Sequence, residues 1–325
     1  MSPRATTSTR ARTRDPQALR QNLRPLHRPR LLPLAVPRPR RLAAVGLEVG
    51  PHESTGFPAR EGGALTPFLA SERVTLYCDR AENVYPELEP GFTLAVLDGP
   101  YGMGKGEWDR MGIEGLAAWY APHLAAVTRL MAPSASLYLW NTAEGWARLD
   151  PVVRGEGWEF RTLITWDKVH SLGRLAGVVG WQDVSEFCGL YLRGDPFNSG
   201  EETNVWRLSN TGNPACSPAS MTSERIFTGE YFTSARAGSR VPLHPCQKPL
   251  LFADRMIRAS SRPGDRVLVP FGGTCREAVA AQRLPPDEAR HVVCIEMNRV
   301  YLDAVRGSFE LDTTPRVAGQ VGLFQ

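Results

Sequence analysis

No stretch of this chain approaches the roughly 20 consecutive apolar residues a membrane helix needs, so no membrane span is expected. The amino terminus has no apolar h-region, and a secretory signal is likewise not expected. Cys78, Cys188, Cys216, Cys246, Cys275 and Cys294 are scattered, with no C-x-x-C pair and no His/Cys cluster at zinc spacing. Neither a disulfide framework nor a metal site is therefore expected, and the thiols read as reduced ones in a cytoplasmic protein. The glycine loop at Gly272-Gly273 does not follow the G-x-G-x-x-G pattern and has no P-loop lysine, which argues against NAD and ATP as its ligands.

Lysine is missing altogether from residues 1–60, which hold twelve arginines against Asp15, Glu48 and Glu53. The remainder carries 26 basic and 31 acidic residues, so a basic leader precedes a mildly acidic body. Pro25, Pro29, Pro33, Pro37 and Pro39 oppose helix and sheet, and residues 1–62 are expected to form an unstructured leader. Such a leader either clings loosely to nucleic-acid phosphates in a salt-dependent way or has no role. The 325 residues, 42% hydrophobic, suffice for one large α/β domain with an insertion or for two smaller domains.

What is present begins at about Leu65 with the texture of an α/β fold. Strands are expected at Val74–Cys78, up to Asp98, and at Ala135–Trp140, Phe160–Trp166, Phe187–Leu192, Arg266–Val269 and His291–Ile295. Helices are expected over Leu116–Met131, from Pro249 to about Ser260, and over Arg276–Leu284. Between about Arg193 and Pro242 the chain turns rich in Ser, Thr, Asn, Gly and Pro, too long for an ordinary loop and read as a functional insertion.

Asp98-Gly99-Pro100-Tyr101 closes an apolar run, and ligands of open α/β sheets bind beyond the carboxyl ends of strands. A carboxylate plus the carbonyl before a proline gives two acceptors for an amino group, and the tyrosine gives a face for a flat ring. Downstream, Pro270-Phe271-Gly272-Gly273-Thr274 opens a helix whose amino end suits an anionic group. Glu296 lies 23 residues after Gly273, close to the spacing of roughly 20 at which a carboxylate meets ribose hydroxyls. The turn Leu243-His244-Pro245-Cys246-Gln247-Lys248-Pro249 carries polar side chains straight into a helix.

The segments LDGPYG, WDK (Trp166 to Lys168), HPCQKP, VLVPFGG and the Ile295-Glu296 pair resemble, in this order, the β class of amino-group DNA methyltransferases. The likeness spans about residues 65–310. It implies a Rossmann-like, S-adenosylmethionine-dependent methyltransferase fold with a mixed, mostly parallel central sheet and a circularly permuted motif order. By this resemblance residues 63–192 form the catalytic half, 193–242 the target recognition segment and 243–325 the cofactor half. Asp98, Pro100 and Tyr101 would hold the target base. Phe271, Gly272, Gly273 and Thr274 would line the methionine end of S-adenosylmethionine, Glu296 would take the ribose, and Asp79 would approach the adenine ring. His244, Gln247, Lys248 and Pro249 would close the cofactor pocket. Lys168, Trp206, Arg207, Arg225 and Arg236 are DNA-contact candidates, Trp206 with a core role as its alternative. The implied partner is double-stranded DNA, and nucleoid association follows from it. Homodimers are common in the family, yet no interface is legible. Adenine N6 is favoured as the target over cytosine N4; an RNA substrate or a catalytically impaired DNA-binding relative are alternatives.

Two departures stand out. Gly99 replaces the family's usual proline, and Val269 replaces the aspartate of the usual Asp-Pro-Phe, removing a polar partner of the cofactor. Pro245-Cys246-Gln247 and Glu82-Asn83-Val84 imitate elements of cytosine-C5 methyltransferases. Their order relative to the glycine loop matches no circular permutation of that family, so both are read as coincidences.

Overall fold

The computed structural model describes residues 65–168, 185–200, 202–207, 233–236, 239–242, 244 and 246–312. The leader at 1–62 and Arg225 lie outside the described residues, and Arg236 is described only in its backbone.

The amino-terminal part supplies strands β1 (Leu69–Ala70), β2 (Val74–Tyr77), β3 (Phe92–Leu97), β4 (Met131–Asn141), β5 (Glu159–Asp167), β6 (Ser185–Arg193) and β7 (Val205–Arg207). Strands β8 (Thr233–Arg236) and β9 (Ser239–Pro242) pair with each other as a separate antiparallel ribbon. Strands β10 (Arg266–Val269) and β11 (His291–Ile295) follow. The main sheet runs β1-β2-β11-β10-β3-β4-β6-β5-β7. From β2 to β4 all neighbours are parallel, and β6 runs antiparallel between β4 and β5. The sheet is thus mixed and mostly parallel, as the resemblance implies.

Alternation within the buried strands divides the core into two faces. Leu94, Val96, Val267, Val269, Val292 and Cys294 point to one cluster, and Ala95, Leu97, Leu268, Val293 and Ile295 to the other. Helices α4 (Leu250–Ser260), α5 (Arg276–Arg283) and α6 (Arg299–Asp312) cover the first face. The short α1 (Ala81–Val84), α2 (Gly112–Leu130) and α3 (Ala143–Gly155) cover the second. Strand faces that are each buried by helices read as continuous apolar runs, which is why β3, β10 and β11 are visible in the sequence.

Several details differ from expectation. Pro249 is the N-cap of α4 and not its first helical residue. Asn141 ends β4 and does not lie beyond it. Helices α3 and α6 have no counterpart among the expected elements. Strand β7, inside the segment read as an insertion, pairs in parallel with β5 and so extends the main sheet.

The strand order positions the site. Strands β10 and β11, although last in the chain, insert between β2 and β3. Leu94 and Ala95 of β3 pair with Val267 and Leu268 of β10, so the two carboxyl ends lie side by side. One end carries Asp98 and the other carries the glycine loop.

Candidate active site

Asp98 is held from one side. Lys248 Nζ lies 2.8 Å from Asp98 Oδ1, and the Tyr101 hydroxyl donates to the same oxygen at 2.8 Å. Among the described residues every hydrogen bond to this carboxylate lands on Oδ1, which leaves Oδ2 for an incoming donor. Lys248 also pairs with Glu186 Oε1 at 2.7 Å, and Lys168 pairs with Glu186 Oε2 at 2.8 Å. The Tyr101 hydroxyl lies 2.7 Å from Glu186 as well. Having one proton, it donates to one carboxylate at a time while accepting from Lys248 at 2.9 Å.

The cluster contains two acids and two ammonium groups in a largely enclosed setting. Burial alone would raise the Glu186 carboxyl, but Lys248 and Lys168 hold it down at about 2. Burial works against the Lys248 ammonium, yet Asp98 and Glu186 outweigh it and leave its pKa above the ordinary value. Burial, then the charges of Asp98 and Glu186, push the Tyr101 phenol well above its ordinary value, so it remains a neutral donor. Lys248 lies 5.2 Å from the Tyr101 ring centroid and 5.3 Å from that of Trp140, which completes its enclosure.

Sequence reasoning placed Lys248 with the cofactor and missed Glu186 entirely. The structure puts the Lys248 ammonium on the Asp98 carboxylate. Glu186 enters from β6, where it sits opposite Trp166 in the register with β5. Its only signal is that long-range pairing, which no local motif reports.

Gly99 explains its own departure from the usual proline. A Cβ there would lie 2.7 Å from the Tyr120 hydroxyl and 2.8 Å from the Phe271 ring. Phe271 is itself wedged between Trp119 at 5.2 Å and His123 at 5.1 Å between ring centroids. The Asp98–Tyr101 loop and the glycine loop therefore touch at Gly99. Gly99→Ala is expected to overpack this contact by about 1–3 kcal/mol, lowering Tm by roughly 2–12 °C in a body of this size. Displacing Phe271 should also raise the Kd for S-adenosylmethionine in a calorimetric titration. Unchanged Tm and Kd would show that the contact yields freely.

On the cofactor side, Glu296 Oε2 accepts from Gly273 N at 2.7 Å and Oε1 from Asn298 N at 2.7 Å. The carboxylate thus ties the glycine loop to the end of β11 and keeps lone pairs for further donors such as ribose hydroxyls. Burial raises its pKa, opposed by those backbone N–H groups. The His244 ring lies 3.8 Å from where a Gly273 Cβ would be, stacked on Trp108 at 6.0 Å and edge-on to Tyr301 at 5.0 Å. Thr274 is buried beside the loop. Asp79, past the end of β2, accepts from Arg80 N and Asn83 Nδ2, both at 2.8 Å. Val269 is packed in the core, on the strand behind the loop.

S-adenosylmethionine presents hydroxyls, an amine, a carboxylate and ring nitrogens, and the residues here fit such a group. Gln247 is buried with both its amide nitrogen and its amide oxygen unpartnered. It sits between His244, which borders Gly273, and Lys248, which reaches Asp98. A buried amide with one donor group and one acceptor unused is costly unless a ligand completes it.

Cysteine at position 275 adopts φ 43° and ψ 52° and is the only non-glycine residue with positive φ among those described. Its left-handed backbone is the conformation that glycine accepts most readily.

The DNA-contact candidates are corrected in part. Trp206 is only 2% exposed, packed against Trp140 and Phe252, with its indole N–H donating to Thr203 O at 2.7 Å. It is core and no wedge, because an aromatic on β7 faces the α4 side of the sheet. Lys168 is committed to Glu186 and lies over the Trp166 ring at 5.0 Å. Arg207 pairs with Asp167 at 2.6 Å.

The surroundings of Cys246 disfavour a thiolate nucleophile. Burial raises its thiol pKa, against the opposing effect of Lys248, whereas catalysis needs the thiolate. Its backbone N–H donates to His244 Nδ1 at 3.1 Å. Cys246→Ala should retain methyl incorporation within a few-fold, and abolished incorporation would revive a covalent cytosine-C5 mechanism.

A mostly parallel sheet with an acid and a glycine loop at adjacent strand ends is the α/β arrangement expected of an S-adenosylmethionine-dependent methyltransferase. The profile of the DNA methylase family, the N6 and N4 methyltransferases, matches residues 92–306, and the chain belongs to that family. It is 29% identical over 246 residues to the type II methyltransferase M1.MboII of Moraxella bovis, covering 70% of this chain and 90% of that one. It is 22% identical over 216 residues to the type II methyltransferase M2.DpnII of Streptococcus pneumoniae, covering 64% and 73%. Among solved structures, the cytosine-N4-specific PvuII DNA methyltransferase shares the fold at a TM-score of 0.55 and 13% identity, over 79% of this chain and 90% of that one.

Proposed function

We propose that this chain methylates the exocyclic amine of a base lifted out of double-stranded DNA, adenine N6 before cytosine N4. The observation that carries the reading is Asp98, whose Oδ1 is fixed by Lys248 and Tyr101 while Oδ2 is left for an amine. Bound S-adenosylmethionine supplies a methyl group on a sulfonium, from which an attacking nitrogen displaces a neutral thioether.

The chain's own residues prepare that nitrogen. Its lone pair is delocalised into the base, so it needs reshaping more than deprotonation. Asp98 Oδ2 accepts one N–H and the Gly99 carbonyl, immediately before Pro100, accepts the other. Two fixed acceptors turn the lone pair out of the ring plane toward the methyl side. Holding two reactants in such a geometry is worth up to about 7–11 kcal/mol. Once nitrogen carries the methyl group it sheds a proton, and the Asp98 carboxylate is the acceptor already in contact. The Tyr101 ring stacks on the base, returning about 1–3 kcal/mol of the unstacking cost.

Around this centre, Phe271 to Thr274, His244, Gln247, Pro249, Glu296 and Asp79 hold the cofactor, with Glu296 on the ribose and Asp79 toward the adenine. Residues 193–242 would read the target sequence, with Arg225 and Arg236 as contacts to DNA. None of the described helices is long and apolar enough to cross a membrane, and the described residues contain no cluster of potential metal ligands. Mapping modified bases in DNA from cells expressing the protein, with Asp98→Ala as control, tests the reading. Methylated adenine or cytosine amines at one sequence, absent with the variant, are expected; DNA unmodified in both cases would overturn it.

A further inference from the structure

The loop that follows the catalytic tetrad is built around one buried acid. Asp109 is 0% exposed. Its Oδ1 accepts from Tyr101 N at 2.9 Å and Gly102 N at 2.6 Å, and its Oδ2 from Met103 N at 3.1 Å and Lys105 N at 3.0 Å. Its backbone oxygen accepts from Gly104 N at 3.1 Å. Five consecutive N–H groups thus converge on a single residue, a concave arrangement of donors filled by the chain's own carboxylate. Gly102 and Gly104 have φ of 72° and 68°, values that side chains rarely adopt, and a Cβ on Gly102 would lie 2.7 Å from the Gly112 backbone. The path of this loop is over-determined.

At its tip stands Met103, 55% exposed, with exposed Lys105 two residues on. A loose loop would let a methionine fold back onto apolar surface. Here the hydrogen bonds of residues 101–105 to Asp109 fix the backbone that carries it. Two residues of chain span at most about 7 Å, so Met103 stands at the edge of the site that Tyr101 lines.

We propose that Met103 is the wedge that enters the duplex and fills the gap when the target base leaves the stack, with Asp109 as the positioning residue that keeps it projecting. The proposal rests on the reading of the site as one for a flipped base. An apolar side chain inserted between base steps is a recurrent device of proteins that unstack DNA, and methionine is among the residues used. A long unbranched side chain suits the role because it fills an irregular gap. Lys105 is placed to meet a phosphate beside the opened step.

The test compares two duplexes bearing the target sequence, one fully paired and one with a mismatch opposite the target base, where the cost of extrusion is already reduced. Met103→Ala is expected to lower kcat/KM on the paired duplex by about tenfold or more and to leave the mismatched duplex within about twofold. Met103→Leu should restore most of the loss. Asp109→Asn should lower activity on both duplexes, because Tyr101 N also hangs from that carboxylate. A Met103→Ala protein that falls equally on both duplexes, or on neither, overturns the wedge. Wild-type protein inactive on both overturns the functional reading itself, and the wedge with it.

Discussion

Asp98→Asn should lower methyl incorporation into DNA by about 10²- to 10³-fold while leaving the calorimetric Kd for S-adenosylmethionine within a few-fold. The substitution is nearly isosteric, so the loss is chemical. An ionised carboxylate is an acceptor at both oxygens, whereas the amide offers one oxygen and one NH₂. The Lys248 ammonium and the Tyr101 hydroxyl both donate toward Oδ1, at 2.8 Å each, and they will claim the amide oxygen. The NH₂ is then turned toward the target amine, donor against donor. The transition state loses a charge-assisted hydrogen bond and its proton acceptor together. Glycine-loop residues and Glu296 lie just past the ends of β10 and β11, outside this exchange, which is why cofactor affinity should hold. Activity retained within tenfold would remove Asp98 from the chemistry; a parallel loss of cofactor binding would mean that it organises the pocket.

Those parts of the site that depend on neighbours in sequence were legible in advance. Asp98, the glycine loop and Glu296 each follow a strand buried on both faces, whose apolar run ends where the candidate residue begins. The parts assembled across the sheet were not. Glu186 is a strand residue with nothing beside it in sequence to mark it, and its meaning comes from the β5–β6 register and from two lysines, 18 residues before it and 62 after it. Trp206 sits in a polar stretch and looks free in sequence, yet β7 carries it into the core against Phe252. Helix α3 buries only a narrow line of Gly145, Leu149 and Val153 beneath Thr142 as its N-cap, too thin a stripe to announce itself. Asp109 was in reach: an acid closing the glycine-rich run GMGKGEWD is a reasonable partner for its N–H groups. Gly99 stands out in the sequence only as a departure from the usual proline, and the approach of Tyr120 and Phe271 from distant elements shows what a side chain there would meet.

Lys248→Met should be the most destabilising single change in the site. Lys248 is 7% exposed and bonded to two carboxylates of 22% and 12% exposure, so removing it leaves Asp98 and Glu186 facing each other with Lys168 as their nearest remaining cation. Breaking a buried charge cluster by deleting one partner costs about 3–5 kcal/mol, which for a domain of this size is roughly 6–20 °C in Tm. The pH dependence separates this cause from lost packing. Glu186 titrates at about 2 in the folded protein against an ordinary 4.5, a depressed value. A depressed carboxyl contributes stability that is fully present above its unfolded value and lost as pH falls through its folded value. The gap in Tm between wild type and Lys248→Met should therefore be widest at neutral pH and narrow between about pH 4.5 and 2. In the variant Glu186 should titrate higher, moving its acid-induced loss to milder pH. Adding Glu186→Gln to Lys248→Met should recover part of the lost Tm, since the amide still accepts from Tyr101 and removes the uncompensated charge. A gap independent of pH, or a double variant no more stable than the single, would show that Lys248 acts through its volume. The buried cation would then be incidental to the acceptor geometry at Asp98.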